Sequence, residues 1–131
     1  MSYFLDANNC IFFINGNHQA IRRKILATPP SEILIPSVVA GELYFGAGKS
    51  GRREENMRRA REFLSDFEIV EYDDEAAQVY GKIRANLERR GTPLPVNYYF
   101  IAAIVISRNG TLVTDDGHFA KIAGLKIENW A

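Results

Sequence analysis

The 131 residues carry 16 basic and 16 acidic side chains, a net charge of zero, with 47% hydrophobic and 24% charged residues. This is the composition of a folded globular chain, and it excludes both a disordered protein and one held on nucleic acid by bulk charge. The single cysteine, Cys10, excludes an internal disulfide and a cysteine-based zinc site and suits a reducing compartment. No apolar run approaches the roughly 18 residues of a membrane span. Met1-Ser2-Tyr3 lacks the features of a signal peptide. The expected location is therefore the cytoplasm, with one domain over residues 1–131.

Tyr3-Phe4-Leu5 opens the chain as a short apolar strand that ends in Asp6. A helix is predicted over Asn9–Ile14, broken at Asn15-Gly16-Asn17, and a second over His18–Ala27 with Ile21, Ile25 and Leu26 on its inner face. Ile33–Ile35 reads as a buried strand closed by Pro36, with Ser37 as N-cap of a helix over Val38–Ala47. Arg52–Asp66 is a strongly charged helix in which Met57, Ala60, Leu64 and Phe67 recur at three and four. Phe67–Tyr72 is a third strand. Asp73 or Asp74 caps the next helix, with Ala76, Tyr80, Ile83 and Leu87 as its inner stripe. Asn97–Ser107 is apolar all round, which predicts burial on several sides. Thr111–Val113 is a fourth strand, His118–Ile122 a helical turn and Leu125–Ile127 a last edge strand. Short apolar strands alternating with helices predict a three-layer α/β fold, a largely parallel sheet covered on both faces.

Three of these predicted elements deliver acids to one edge. Asp6 follows the first strand, Glu42 lies about a turn and a half into the helix fed by the second, and Thr114-Asp115-Asp116 ends the fourth. In such sheets ligands bind outside the carboxyl ends of the strands. Asp6 alone reads equally as a helix N-cap. Three acids together repel one another unless a cation sits between them, and oxygen-only ligation points to Mg²⁺ or Mn²⁺. A phospho-acceptor domain of response-regulator type also gathers acids at strand ends. It needs a lone Asp ending a middle strand, whereas the third strand here ends Val70-Glu71-Tyr72.

LDANNCIF, IPSVVAGELYFGA and LVTDDGHF, with KIRANLERRGTPL and GLKIENW, occur in order along most of the chain. Together they resemble the PIN-domain family, specifically the VapC-type toxin ribonucleases of bacterial toxin–antitoxin pairs. The resemblance implies a five-stranded parallel sheet in the order 3-2-1-4-5 and an Mg²⁺-dependent endoribonuclease. Asp6, Glu42 and Asp116 would be metal-binding and catalytic acids, with Asn8 and Thr114, and less firmly Asp115, as supporting neighbours. It also implies a VapB-like antitoxin, an RNA substrate, a homodimer, and operator DNA bound only through the antitoxin. Phe12, Phe13, Tyr44 and Phe45 would suit a groove for the antitoxin, or the core.

Two positions depart from the pattern. Ala7 replaces a commoner Thr. Counting back from Ile101-Ala102-Ala103, the family's remaining acid falls on Tyr98, flanked by Asn97 and Tyr99. A phenol is neutral at pH 7, a poor ligand for a hard cation and bulkier than Asp. The expectation is weak or absent Mg²⁺ binding and little or no cleavage. The alternative is a non-catalytic module acting through antitoxin complex formation and operon autoregulation. The basic clusters Arg22-Arg23-Lys24, Arg52-Arg53, Arg58-Arg59-Arg61 and Arg89-Arg90 read mainly as solvated helix faces interleaved with Glu54, Glu55, Glu62 and Glu88, some of them able to line an RNA path. His18 and His118 read as structural or exposed, and Cys10 as a small core residue.

Overall fold

A computed structural model describes residues 1–131. Five strands form one parallel sheet in the order β3-β2-β1-β4-β5: β1 Tyr3–Leu5, β2 Ile33–Pro36, β3 Glu68–Val70, β4 Thr111–Val113 and β5 Lys126–Glu128. Tyr3 is in register with Ile33 on one side and Thr111 on the other, so β1 is central. Phe4, Leu5, Ile33, Ile35, Leu112 and Val113 are wholly buried, as the apolar inner strands of a covered parallel sheet must be. Six helices connect the strands: α1 Ala7–Asn15, α2 Gln19–Ala27, α3 Ser37–Gly48, α4 Arg53–Leu64, α5 Asp74–Arg89 and α6 Val96–Ser107. Right-handed crossovers put α1 to α4 on one face and α5 and α6 on the other. This is the expected three-layer α/β fold with the expected strand order. A response-regulator arrangement, with order 2-1-3-4-5, is excluded.

That order reverses direction at β1, leaving a crevice between the carboxyl ends of β1 and β4. The close approach of the two strands depends on Gly110. A Cβ there would lie 2.4 Å from Phe4 Cε1 and 3.2 Å from the Ser2 carbonyl, against a ring that cannot move.

Several boundaries differ from those the sequence suggests. Asp6 starts α1 two residues earlier than expected, and Gly16 ends it in the left-handed region at φ 68°. Ser37 is not a cap but the first residue of α3. Pro36 holds the cap position at φ −60° with no side-chain bond, because a proline sets the entry conformation by itself. Leu26, expected inside, is 65% exposed, and Phe63, unassigned from the sequence, is buried on α4. Asp73, not Asp74, caps α5, accepting from the Ala76 N–H at 3.0 Å. α6 is buried from Ile101 through Val105, as its uniform apolarity requires. No helix is long and apolar enough to cross a membrane.

Candidate active-site cleft

A cleft of about 200 Å³ opens at the switch point, lined by Asp6, Ala7, Asn8, Glu42, Asn97, Tyr98, Ile101, Asp116 and Phe119. Asp6 stands immediately after β1, so the strand carries its carboxylate into the crevice while the helix behind it supplies donors. It is 6% exposed. The backbone N–H and side-chain amide of Asn9 both donate to its Oδ1, at 2.9 and 2.8 Å. The Thr114 hydroxyl donates to Oδ2 at 2.5 Å. Cap and cleft-facing acid are therefore one and the same side chain. The Asn9 amide also donates to the Val113 carbonyl at 3.0 Å, tying the end of β1 to the end of β4.

Burial pushes the Asp6 carboxyl above its ordinary range, an effect the Thr114 and Asn9 donors only partly offset. Glu42 reaches the cleft from α3, where the Asn97 amide donates to its Oε1 at 3.3 Å. Its carboxyl is likewise raised, by burial and then by the Asp6 charge. Both shifts are first the cost of taking a carboxylate out of water, and for Glu42 the neighbouring Asp6 charge adds to it.

Asp116 follows β4 and caps a 3₁₀ turn over Gly117–Lys121. Both of its oxygens are engaged. The Tyr98 hydroxyl donates to Oδ2 at 2.6 Å. The His118 N–H donates to Oδ1 at 3.0 Å, and His118 Nδ1 lies 2.7 Å from that same oxygen. Burial acts upward on Asp116, but the Tyr98 and His118 donors outweigh it and hold the carboxyl below its ordinary range. Thr114 joins the two acids, since its hydroxyl accepts from the Asp116 N–H at 3.0 Å while donating to Asp6.

Tyr98, at the start of α6, packs edge-on against Phe119, with ring centroids 4.8 Å apart, and lies 5.5 Å from the His118 ring. Its bond to Asp116, then burial, then the charges of Asp116 and Glu42 push its phenol up to about 12. At neutral pH it is a fixed hydrogen-bond donor.

The donor set does not suit a divalent cation. No three His, Cys, Asp or Glu side chains are placed to hold one metal ion. Both Asp116 oxygens already accept hydrogen bonds, Oδ2 from the Tyr98 hydroxyl and Oδ1 from the His118 N–H, and Mg²⁺ requires near-octahedral oxygen ligation.

Of the residues singled out from the sequence, Asp6, Glu42, Tyr98 and Asp116 share the cleft, and Thr114 lies beneath it. Asn8 lines the rim but is exposed, and its neighbour Asn9 makes the bonds to Asp6. Asp115 is exposed, lies outside the cleft lining, and reaches Asp6 only through its charge. The sequence reading missed Asn9, Asn97 and the His118 contact with Asp116. Asn9 had a signal: it stands three residues after the cap Asp6, where a polar side chain reaches back to the helix start.

A second depression, of about 250 Å³, runs between α1, α3 and α4 and meets the cleft at Glu42. Ile11, Ile14, Leu43, Ala47 and Arg59 are among its walls. None of the four aromatic residues expected to line a groove does so here. Phe12 and Phe13 are half-buried, Phe13 against Phe63 at 5.5 Å, whereas Tyr44 and Phe45 point outward at 37% and 67% exposure.

The PIN domain family model matches residues 3–125. Ribonuclease VapC2 of Rickettsia felis is 35% identical over 99% of this chain and 98% of its own length. The tRNA(fMet)-specific endonuclease VapC of Salmonella typhimurium is 37% identical over the same shares. Among solved structures, VapBC2 from Rickettsia felis bound to a DNA fragment from their promoter superposes with a TM-score of 0.90 at 34% identity, covering all of both chains. DNA-bound VapBC from Salmonella typhimurium gives 0.94 at 36% identity, over 100% of this chain and 99% of that one. By family model, sequence and fold alike, the chain belongs to the PIN-domain family and to its VapC branch of toxin ribonucleases.

Proposed function

We propose that this chain is the toxin member of a type II toxin–antitoxin pair, an endoribonuclease by descent whose cleavage chemistry is suppressed at Tyr98. The observation that carries this reading is the 2.6 Å bond from the Tyr98 hydroxyl to Asp116 inside the acidic cleft. Ribonucleases of this architecture use Mg²⁺ or Mn²⁺ held by carboxylates to activate water and to stabilise charge on the phosphate. Here Asp6, Glu42 and Asp116 are retained, but a neutral donor stands where a fourth acid is expected. Each of the three acids takes its compensation from the protein: Asn9 and Thr114 for Asp6, Asn97 for Glu42, Tyr98 and His118 for Asp116.

The partner is a VapB-like antitoxin, as in the complexes from Rickettsia felis and Salmonella typhimurium, and operator DNA is bound through that complex. The depression between α1, α3 and α4, which opens onto Glu42, is a suitable seat for an antitoxin segment. Cleavage of single-stranded RNA in Mg²⁺ tests the reading. The parent should cleave weakly or not at all, and Tyr98→Asp should cleave at least tenfold faster, about 1.4 kcal/mol of barrier. If a folded Tyr98→Asp variant gains no cleavage, suppression at Tyr98 is wrong. The chain is then a non-catalytic module acting through its antitoxin complex and operon autoregulation.

A further inference from the structure

A third depression, of about 260 Å³, lies between α5 and the segment after the 3₁₀ turn. Its apolar lining is Ile83 and Ala123 at the surface, with Leu87 and Ile122 almost wholly buried beneath them, and its rim carries Lys82, Asn86 and Arg89. No acid lines it. In the sequence the basic residues at this end of α5 stand beside Glu88, but the structure commits Glu88 elsewhere. Its Oε2 accepts from Arg84 Nε at 2.6 Å, and Arg84 also donates to the Tyr80 hydroxyl. The four ion pairs of the chain are Arg52–Glu55, Arg58–Glu62, Arg84–Glu88 and His118–Asp116. Lys82, Arg89, Arg90 and Lys121 belong to none of them, and all four are exposed. In a chain of net charge zero this is a local excess of positive charge.

Its position relates it to the cleft. Ile122, in its floor, donates its N–H to the Phe119 carbonyl at 3.1 Å, and Phe119 lines the cleft. Arg89 ends α5, and after a six-residue connection α6 begins with Val96, Asn97 and Tyr98. The two depressions are thus neighbours, one acidic and one basic, separated by a single 3₁₀ turn.

We infer that the basic depression between α5 and the 3₁₀ turn binds a nucleotide of single-stranded RNA next to the one held at the cleft. Lys82 and Arg89 each contact a backbone phosphate, Asn86 supplies a hydrogen bond, and the base lies over Ile83 and Ala123, the two apolar residues of the lining that solvent reaches. Cations placed along a groove to track the phosphate backbone are the electrostatic part of sequence-tolerant single-strand binding. The cations also offset the repulsion between a polyanion and the three cleft acids.

This inference rests on the proposed RNA substrate, and the test separates the two. Binding of a short fluorescein-labelled single-stranded RNA is followed by fluorescence anisotropy over a range of salt concentrations. The probes are the parent chain, the double variant Lys82→Ala/Arg89→Ala, and Arg23→Ala as a control on α2. Both positions of the double variant are exposed on a helix, so alanine leaves the fold intact, which circular dichroism checks. The double variant should bind about tenfold more weakly, and its log–log salt slope should be shallower by about 1.4, two phosphate contacts at 0.7 each. Arg23→Ala should match the parent. Parent binding with no change in the double variant, or an equal loss in Arg23→Ala, overturns the depression as a subsite while leaving the RNA substrate intact. No binding by the parent overturns both.

Discussion

Replacing Tyr98 by Asp should convert a protein indifferent to divalent cations into one stabilised by them. Without cation the variant loses the hydroxyl bond to Asp116. That bond has a charged acceptor that water also reaches, so its loss costs about 1–2 kcal/mol. The edge-on contact with Phe119 at 4.8 Å goes too, at about 0.5–1.5 kcal/mol. A new carboxylate facing Glu42 and Asp116 adds like-charge repulsion. Together these place the cation-free variant about 2–4 kcal/mol below the parent. At about 3–4 °C per kcal/mol for a chain of this size, its Tm falls by about 6–16 °C. A cation at about a hundred times its Kd returns about 2.7 kcal/mol, most of that loss. The assay is thermal unfolding of both proteins in EDTA and in rising Mn²⁺. The parent curve should not move, because both Asp116 oxygens already accept hydrogen bonds and Tyr98 supplies no carboxylate. A parent Tm that climbs with Mn²⁺ as steeply as the variant's would refute the reasoning, as would a variant that ignores the cation.

The same cleft sets two pH dependences. Tyr98→Phe keeps the ring and removes only the donor, costing about 1 kcal/mol at neutral pH. In the parent the phenol is raised to about 12 from an ordinary 10, so its contribution is complete below pH 10 and is lost as pH rises from 10 to about 12. Asp116 is depressed, so its contribution is present above the ordinary Asp range and is lost as pH falls through its folded value. The gap between parent and Tyr98→Phe in urea unfolding should therefore be flat through neutrality and close at both extremes. Glu42→Gln should stabilise the protein by about 0.5 kcal/mol or more, since it keeps the acceptor for Asn97 and removes a charge beside Asp6. Because the Glu42 pKa is raised, the parent recovers as pH falls through it. The advantage of Glu42→Gln should be full at pH 7 and gone below about pH 4.3.

The fold was legible because its strands are short, apolar and separated by helices whose ends carry strong signals. Asp6 and Asp116 could be placed together because each follows an apolar run, and a parallel sheet brings such ends to one edge. What failed depended on phase within a turn. Asn8 and Asn9 are adjacent, and only the cap geometry of Asp6 decides which one faces it. Asp115 and Asp116 are told apart by the turn that follows β4, where the His118 N–H selects the second acid. Leu26 shares an apolar sequence face with Ile21 and Ile25, yet α2 ends one residue later, with nothing packed over it. The release of Arg89 and Arg90 from Glu88 lies wholly outside sequence reasoning, since it turns on the side chain that Arg84 chooses as partner.

Tyr98 acts on one oxygen of one acid, and this limits what its presence can alter. The Asn9 and Thr114 bonds to Asp6, the depression beside α1 and α3, and the basic rim on α5 involve none of its atoms. A cation among these acids would balance whole charges, whereas a phenol donates a single hydrogen bond and leaves the formal charges in place. The carboxyls of Asp6 and Glu42 stay raised, mainly by burial, while Asp116, which receives the bond, is lowered. On the proposed reading the effect of Tyr98 therefore falls on the chemistry at the cleft, and the surfaces that would meet RNA or an antitoxin keep their shape. If Tyr98 suppresses cleavage as we propose, binding and cleavage separate at a single side chain, and the test is a protein that grips RNA without cutting it.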